Sequence, residues 1–150
     1  MSRAFVGMGT CGLASGAARV HEAALRWAAA RGTSLEVSPT GCAGFCPAEP
    51  ILDVVTAGGQ RLSFGNVNPE ETGFILDEVL VKGNFHIAGL LGQYANGKPP
   101  LPGVPMLEEH PFFRKQAKFA LANCGVIDPE SVSDYRERGG FLALERALSL

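Results

Sequence analysis

Three cysteines on glycine-bearing loops constrain this chain more than any other feature. Cys11 stands in Gly9-Thr10-Cys11-Gly12, and Cys42 and Cys46 bracket Ala43-Gly44-Phe45. Each loop follows a strand-like run, residues 4–8 in one case and 34–38 in the other. Two thiols at C-x3-C spacing, with a third one helix earlier, have the look of soft-metal ligation. Iron–sulfur clusters are the commonest reason to hold thiolates on loops this way. A [2Fe–2S] centre takes four ligands, and this region supplies three cysteines.

Composition narrows the setting. With 46% hydrophobic and 19% charged residues in 150, one ordinary core is affordable and disorder is not the default. Thirteen basic against 15 acidic side chains give a formal charge of −2, and no electrostatic case for nucleic acid or an anionic membrane. No apolar run has the length of a membrane span, and the first residues lack a signal-peptide core. A cytoplasmic protein is expected, in which cysteines more often bind metal, do redox chemistry or pack than form structural disulfides.

The element order follows from periodicity and punctuation. Residues 4–8 read as a strand and 9–15 as a small-residue loop. Residues 17–30 read as a helix closed by Arg31-Gly32. A second strand covers 34–38, and the loop 40–50 carries Cys42 and Cys46. Strands at 51–56 and 61–64 form a hairpin across Ala57-Gly58-Gly59-Gln60. Asn68-Pro69-Glu70-Glu71 starts a helix, with a cap, a proline at the first position and an acidic first turn. Phe74, Ile75, Val79 and Leu80 make its expected buried stripe. The order β-α-β-β-β-α is the thioredoxin-like arrangement: an α/β fold with a four-stranded sheet and two helices. After Gly83 the chain becomes loop-rich, and Lys98-Pro99-Pro100-Leu101-Pro102-Gly103 excludes regular structure. Helical segments are expected at 111–122, 128–138 and 141–150. The division is therefore a domain at 1–83 and an extended loop-and-helix arm at 84–150.

Residues 6–16 and 40–47, together with Asn66-Val67-Asn68-Pro69-Glu70, resemble the thioredoxin-like [2Fe–2S] ferredoxin domain. That domain stands at the N-terminus of many flavoprotein subunits of NADH-linked hydrogenases and NADH:quinone oxidoreductase-type complexes. Residues 110–116, 123–131 and 135–148 look like the arm that leads into the flavin domain there. The resemblance implies a [2Fe–2S] centre with Cys11, Cys42 and Cys46 as metal ligands. The family's first loop usually carries C-x4-C. Here its first cysteine position is Gly7, and its second is displaced by one, to Cys11 with Gly12 after it. The fourth ligand is open: Ser15, a backbone group, solvent or another subunit. No glycine-rich phosphate loop at a helix N-terminus is present, so neither FMN nor NAD is expected in this chain.

Each residue also has a plainer role. Cys42 and Cys46 would serve as small apolar packing in a relic loop, and Cys11, just before a helix, as a redox thiol or an inert one. Cys124 reads as packing in the arm. His21, His86 and His110 match no ligand spacing with the cysteines, and no Ser/His/Asp set is visible. The final helix carries Phe141, Leu144 and Leu148 on one face, which together with Phe112 and Phe113 is expected to bury against a partner. The expected function is a small accessory or electron-transfer subunit of a cytosolic NADH-linked oxidoreductase, docking a separate flavin- and NADH-binding subunit. The alternative is a cluster-free structural subunit on the same fold.

Overall fold

The computed structural model describes residues 2–150. Ala4, Phe5 and Val6 are all buried because β1 (Arg3–Gly7) lies inside the sheet, covered on both faces. Among the described residues the strands form one five-stranded sheet, ordered β2-β1-β3-β4-β5. β2 (Glu36–Thr40) runs parallel to β1, in the register Gly7 opposite Thr40. β3 (Leu52–Val55) and β4 (Arg61–Phe64) follow antiparallel, with Leu52 opposite Phe64. This is the thioredoxin-like α/β fold that the element order implies.

Two helices cover one face. A short helix, α1 (Thr10–Ala14), precedes α2 (Ala17–Arg31). The buried side of α2 is Ala17, Val20, Ala23, Ala24 and Ala28, small side chains that let its backbone approach the strands closely. Gly32, at φ +58°, ends it in the left-handed conformation that glycine adopts without a Cβ penalty. α3 (Pro69–Leu76) starts where Asn68 Oδ1 accepts from Glu71 N at 2.8 Å, and continues as a π-helical turn, Asp77–Lys82. Its buried stripe is Thr72, Ile75, Leu76 and Val79, spaced i, i+3, i+4, i+7, with Glu78 buried beside it. Phe74, expected in that stripe, faces outward at 55% exposure, and Leu76 fills its place. Trp27 Nε1 donates to Asp77 Oδ1 at 2.8 Å and ties α2 to this second helix. Between helices and sheet lie Ala4, Val6, Leu52, Val54, Leu62 and Phe64.

The sheet does not stop at Gly83. β5 (Leu90–Gln93) pairs with β4, so there are five strands where four are expected from the sequence. Gln93 is buried and clamps the proline-rich loop: its Nε2 donates to the Leu101 and Val104 carbonyls at 3.0 and 2.8 Å, and its Oε1 accepts from Leu101 N at 2.8 Å. Gly92 has no alternative here, because a Cβ on it would meet the Pro105 carbonyl oxygen at 2.8 Å. Val104 and Leu107 then enter the core.

The other face of the sheet is polar and covered by the arm. Arg61 Nε and Nη2 donate to Asp53 Oδ2 at 2.9 and 2.6 Å, and both groups are buried. The same guanidinium donates to the Gly125 and Val126 carbonyls at 2.8 and 2.6 Å, which pins the arm onto the strands. Tyr94 OH donates to Asp53 Oδ2 at 3.0 Å, and burial first, then the Asp53 charge, pushes its phenol far above the ordinary value.

Residues 111–122 form successive turns, not the expected helix. Phe112 and Phe113 are drawn back to Phe45, and Phe119 is left almost wholly exposed, so no continuous helical face forms. α4 (Val132–Glu137) starts at Ser131, whose Oγ accepts from Asp134 N, later than the expected start at 128. α5 (Leu142–Leu148) has no buried residue. Among the described residues no helix is long and apolar enough to cross a membrane.

Candidate metal site

The parallel pairing of β1 and β2 places their C-terminal ends side by side, and both cysteine loops leave from there. Met8 N donates to the Thr40 carbonyl at 2.8 Å just beyond the paired residues. A Cβ on Gly9 would meet the Cys42 Cβ at 2.9 Å, so only glycine lets the first loop lie against the second. Cys11 is in the first turn of α1, and Cys46 opens a 3-10 turn, Cys46–Ala48. The Cys42 and Cys46 sulfurs are 4.0 Å apart. Two thiolates on one tetrahedral metal, each at about 2.3 Å, stand roughly 3.8 Å apart.

All four cysteines are free thiols, with Cys11 and Cys46 exposed and Cys42 half-buried. Burial pushes the Cys42 thiol up, partly offset by the Gly44 N–H that donates to its sulfur at 3.2 Å. The Cys46 thiol is raised too, with Cys11 as the chief influence, while the one sulfur–sulfur contact in the loops, among the described residues, is that between Cys42 and Cys46. Cys124 is elsewhere, in the arm, lining a cavity of about 690 Å³ between arm and sheet with Phe5, Arg61 and Tyr94. Ser15 ends α1 and is exposed. His110 joins an aromatic cluster on the cysteine loop: Phe45 stacks on Phe112 at 4.3 Å, with Phe113 at 5.4 Å and His110 at 5.1 Å.

One buried residue beside the cysteine loops goes unseen in the sequence. Glu49, just before β3, is 6% exposed. Its Oε2 accepts from Ile51 N at 2.9 Å, and its Oε1 has no partner among the described residues. Burial, and secondarily the nearby Asp53 charge, pushes its carboxyl up, against the Ile51 N–H. The signal available in the sequence was indirect: a glycine at position 7, whose missing side chain some other group must replace.

The residues present do not complete a [2Fe–2S] centre from this chain. Only the Cys42 and Cys46 sulfurs approach each other, Gly7 offers no side chain, and the buried Glu49 carboxylate is engaged with Ile51 N. Among the described residues, no group of three or more His, Cys, Asp or Glu side chains is arranged to hold a metal ion.

The raised Glu49 carboxyl has a pH consequence. A folded-state pKa above the unfolded one favours the protonated, folded form. The contribution is full below the ordinary value of about 4.5 and is lost as pH rises through the higher folded value. Thermal melts from pH 4 upward are expected to show a fall in that window which Glu49→Gln flattens. An unchanged profile in the variant would show that Glu49 does not titrate there.

No protein-family profile matches the chain. Solved structures do. A thioredoxin-like [2Fe–2S] ferredoxin from Aquifex aeolicus aligns at 22% identity and TM-score 0.54, over 67% of this chain and 96% of that one. A second structure, of the wild-type ferredoxin from that organism, aligns at 20% and 0.52, over 61% and 96%. A cysteine-to-serine variant of it aligns at 19% and 0.53, over 61% and 98%. At these identities the likeness is one of fold: the chain has the fold of the thioredoxin-like [2Fe–2S] ferredoxins.

Proposed function

We propose that this chain is an accessory or electron-transfer unit of a cytosolic NADH-linked oxidoreductase, working beside a flavin-bearing partner. The observation that carries the reading is a ferredoxin-type sheet with three thiols at one end, joined to an arm whose last helix presents apolar side chains to solvent. Leu144 is 53% exposed and Leu148 80%, on a helix with nothing buried. Exposed apolar surface of this kind marks a partner site. Phe112 and Phe113 are only partly available to a partner, because they already pack on Phe45. Electron relay is the role if a [2Fe–2S] centre forms. The buried Glu49 beside Gly7 favours the second reading, a cluster-free unit that positions the flavin-bearing partner.

The docking reading is tested by co-expression with the flavin-bearing subunit of such a complex. Leu144→Asp with Leu148→Asp should weaken association roughly tenfold or more, since each interface leucine that loses its burial forfeits on the order of 1–2 kcal/mol. Circular dichroism should be unchanged, because neither side chain is in the core. Association at full strength in that pair would end the docking reading. Visible absorption, with iron and sulfide analysis of anaerobically purified protein, reads the relay role separately.

A further inference from the structure

Gly7 ends β1 beneath the cysteine loops, and Gly12 in α1 lies over it so closely that a Cβ on Gly12 would collide with the Gly7 carbonyl oxygen. That approach explains why the thiol on this turn stands at Cys11, facing solvent. Neither glycine has a side chain, yet the space beside them is full. A Cβ on Gly7 would stand 2.9 and 3.0 Å from the two Glu49 carboxylate oxygens, and one on Gly12 3.1 Å from Oε2. Glu49 is not free to swing aside: it is buried, and Ile51 N–H holds its Oε2 at 2.9 Å. Its other oxygen is buried without a partner among the described residues. What the group does completely is fill the volume against the two glycines, where an empty slot would forfeit packing.

We propose that Glu49 is a plug. Its side chain occupies the volume that a cysteine at position 7 would need, and so keeps a further thiol out of the cysteine loops and a four-ligand [2Fe–2S] centre from closing there. The inference rests on the ferredoxin-type reading only for the register that puts the first ligand position at Gly7. Docking of the arm does not enter it.

Two measurements on the full chain test it. The first is a thermal-stability cycle of Gly7→Ala, Glu49→Ala and the pair. Gly7→Ala alone should lower Tm, because the new Cβ meets a fixed carboxylate. In the Glu49→Ala background the same change should be neutral or stabilising, as expected for glycine replaced without a clash. Additive effects would overturn the plug. The second is anaerobic reconstitution with iron and sulfide. Wild type and Gly7→Cys should hold no stable two-iron centre. Gly7→Cys combined with Glu49→Ala should gain two irons and two sulfides per chain, visible absorption bands and a reduced-state paramagnetic signal. A wild-type chain that reconstitutes to two irons overturns the proposal, and so does a folded double variant that stays metal-free. Partner association is scored on the same samples, so a failure of the docking reading is told apart from a failure of the plug.

Discussion

A chain cut after Gly83 is expected to unfold, not to leave a free-standing sheet domain. The cut removes β5 and with it the partner of β4, so Leu62 and Phe64 lose cover at the sheet's edge. It also removes Val104 and Leu107 from the core, each worth about 1.5–3 kcal/mol on burial. The Gln93 clamp goes too, with bonds worth about 1 kcal/mol apiece. Together these approach the roughly 5–15 kcal/mol that hold a whole domain. A fragment of residues 1–110 keeps all of them and should melt cooperatively, below the full chain. Circular dichroism melts of 1–83 and 1–110 decide the matter: equal cooperativity in the two would show that β5 contributes nothing essential.

Arg61→Ala should be the most damaging single substitution. It leaves Asp53 buried with a single remaining donor, Tyr94 OH, and strips the Gly125 and Val126 carbonyls of theirs. Breaking a buried pair from one side costs about 3–5 kcal/mol, which for a chain of this size lowers Tm by roughly 10 °C or more. The loss should be read by urea denaturation, together with faster proteolysis in the arm, since Arg61 is what fastens residues 125–126 to the strands. Replacing both partners, Arg61→Met with Asp53→Leu, should recover part of the stability and none of the arm's protection. If the arm stays protected in Arg61→Ala, its attachment lies elsewhere.

What the sequence shows plainly is whatever is decided locally. The Asn68 cap, the Arg31-Gly32 stop and the hairpin into β4 each have their cause within a few residues, and the structure has them where the pattern puts them. β5 is not legible, because Leu90-Leu91-Gly92-Gln93 has no alternation. It is a strand only because β4 offers an open edge and Gln93 makes three hydrogen bonds to two residues, Leu101 and Val104, eight or more positions away. The turns at 111–122 depart from a helical pattern for a similar reason: Phe45, far along the chain, competes for Phe112 and Phe113. The approach of Cys42 to Cys46 is readable from their spacing, and the return of the Cys11 loop to the same end of the sheet from the parallel strand pair. Glu49 is not, because a charged residue before a proline reads as surface loop until the two facing glycines are seen in three dimensions.

Phe45 joins the loop between Cys42 and Cys46 to the arm through its contacts with His110, Phe112 and Phe113, beside a bond from Lys118 Nζ to the Ala43 carbonyl. Two sites that share a tether are thermodynamically reciprocal. If a partner gripping the arm alters how readily the thiols are oxidised or take up a soft metal, then oxidising or loading them must alter the grip by the same factor. Phe45→Ala would remove the aromatic part of that tether and leave the Lys118 bond to Ala43, so the coupling should fall without vanishing. Comparing the two affinities before and after that single change measures how strongly the thiol loop and the arm are coupled.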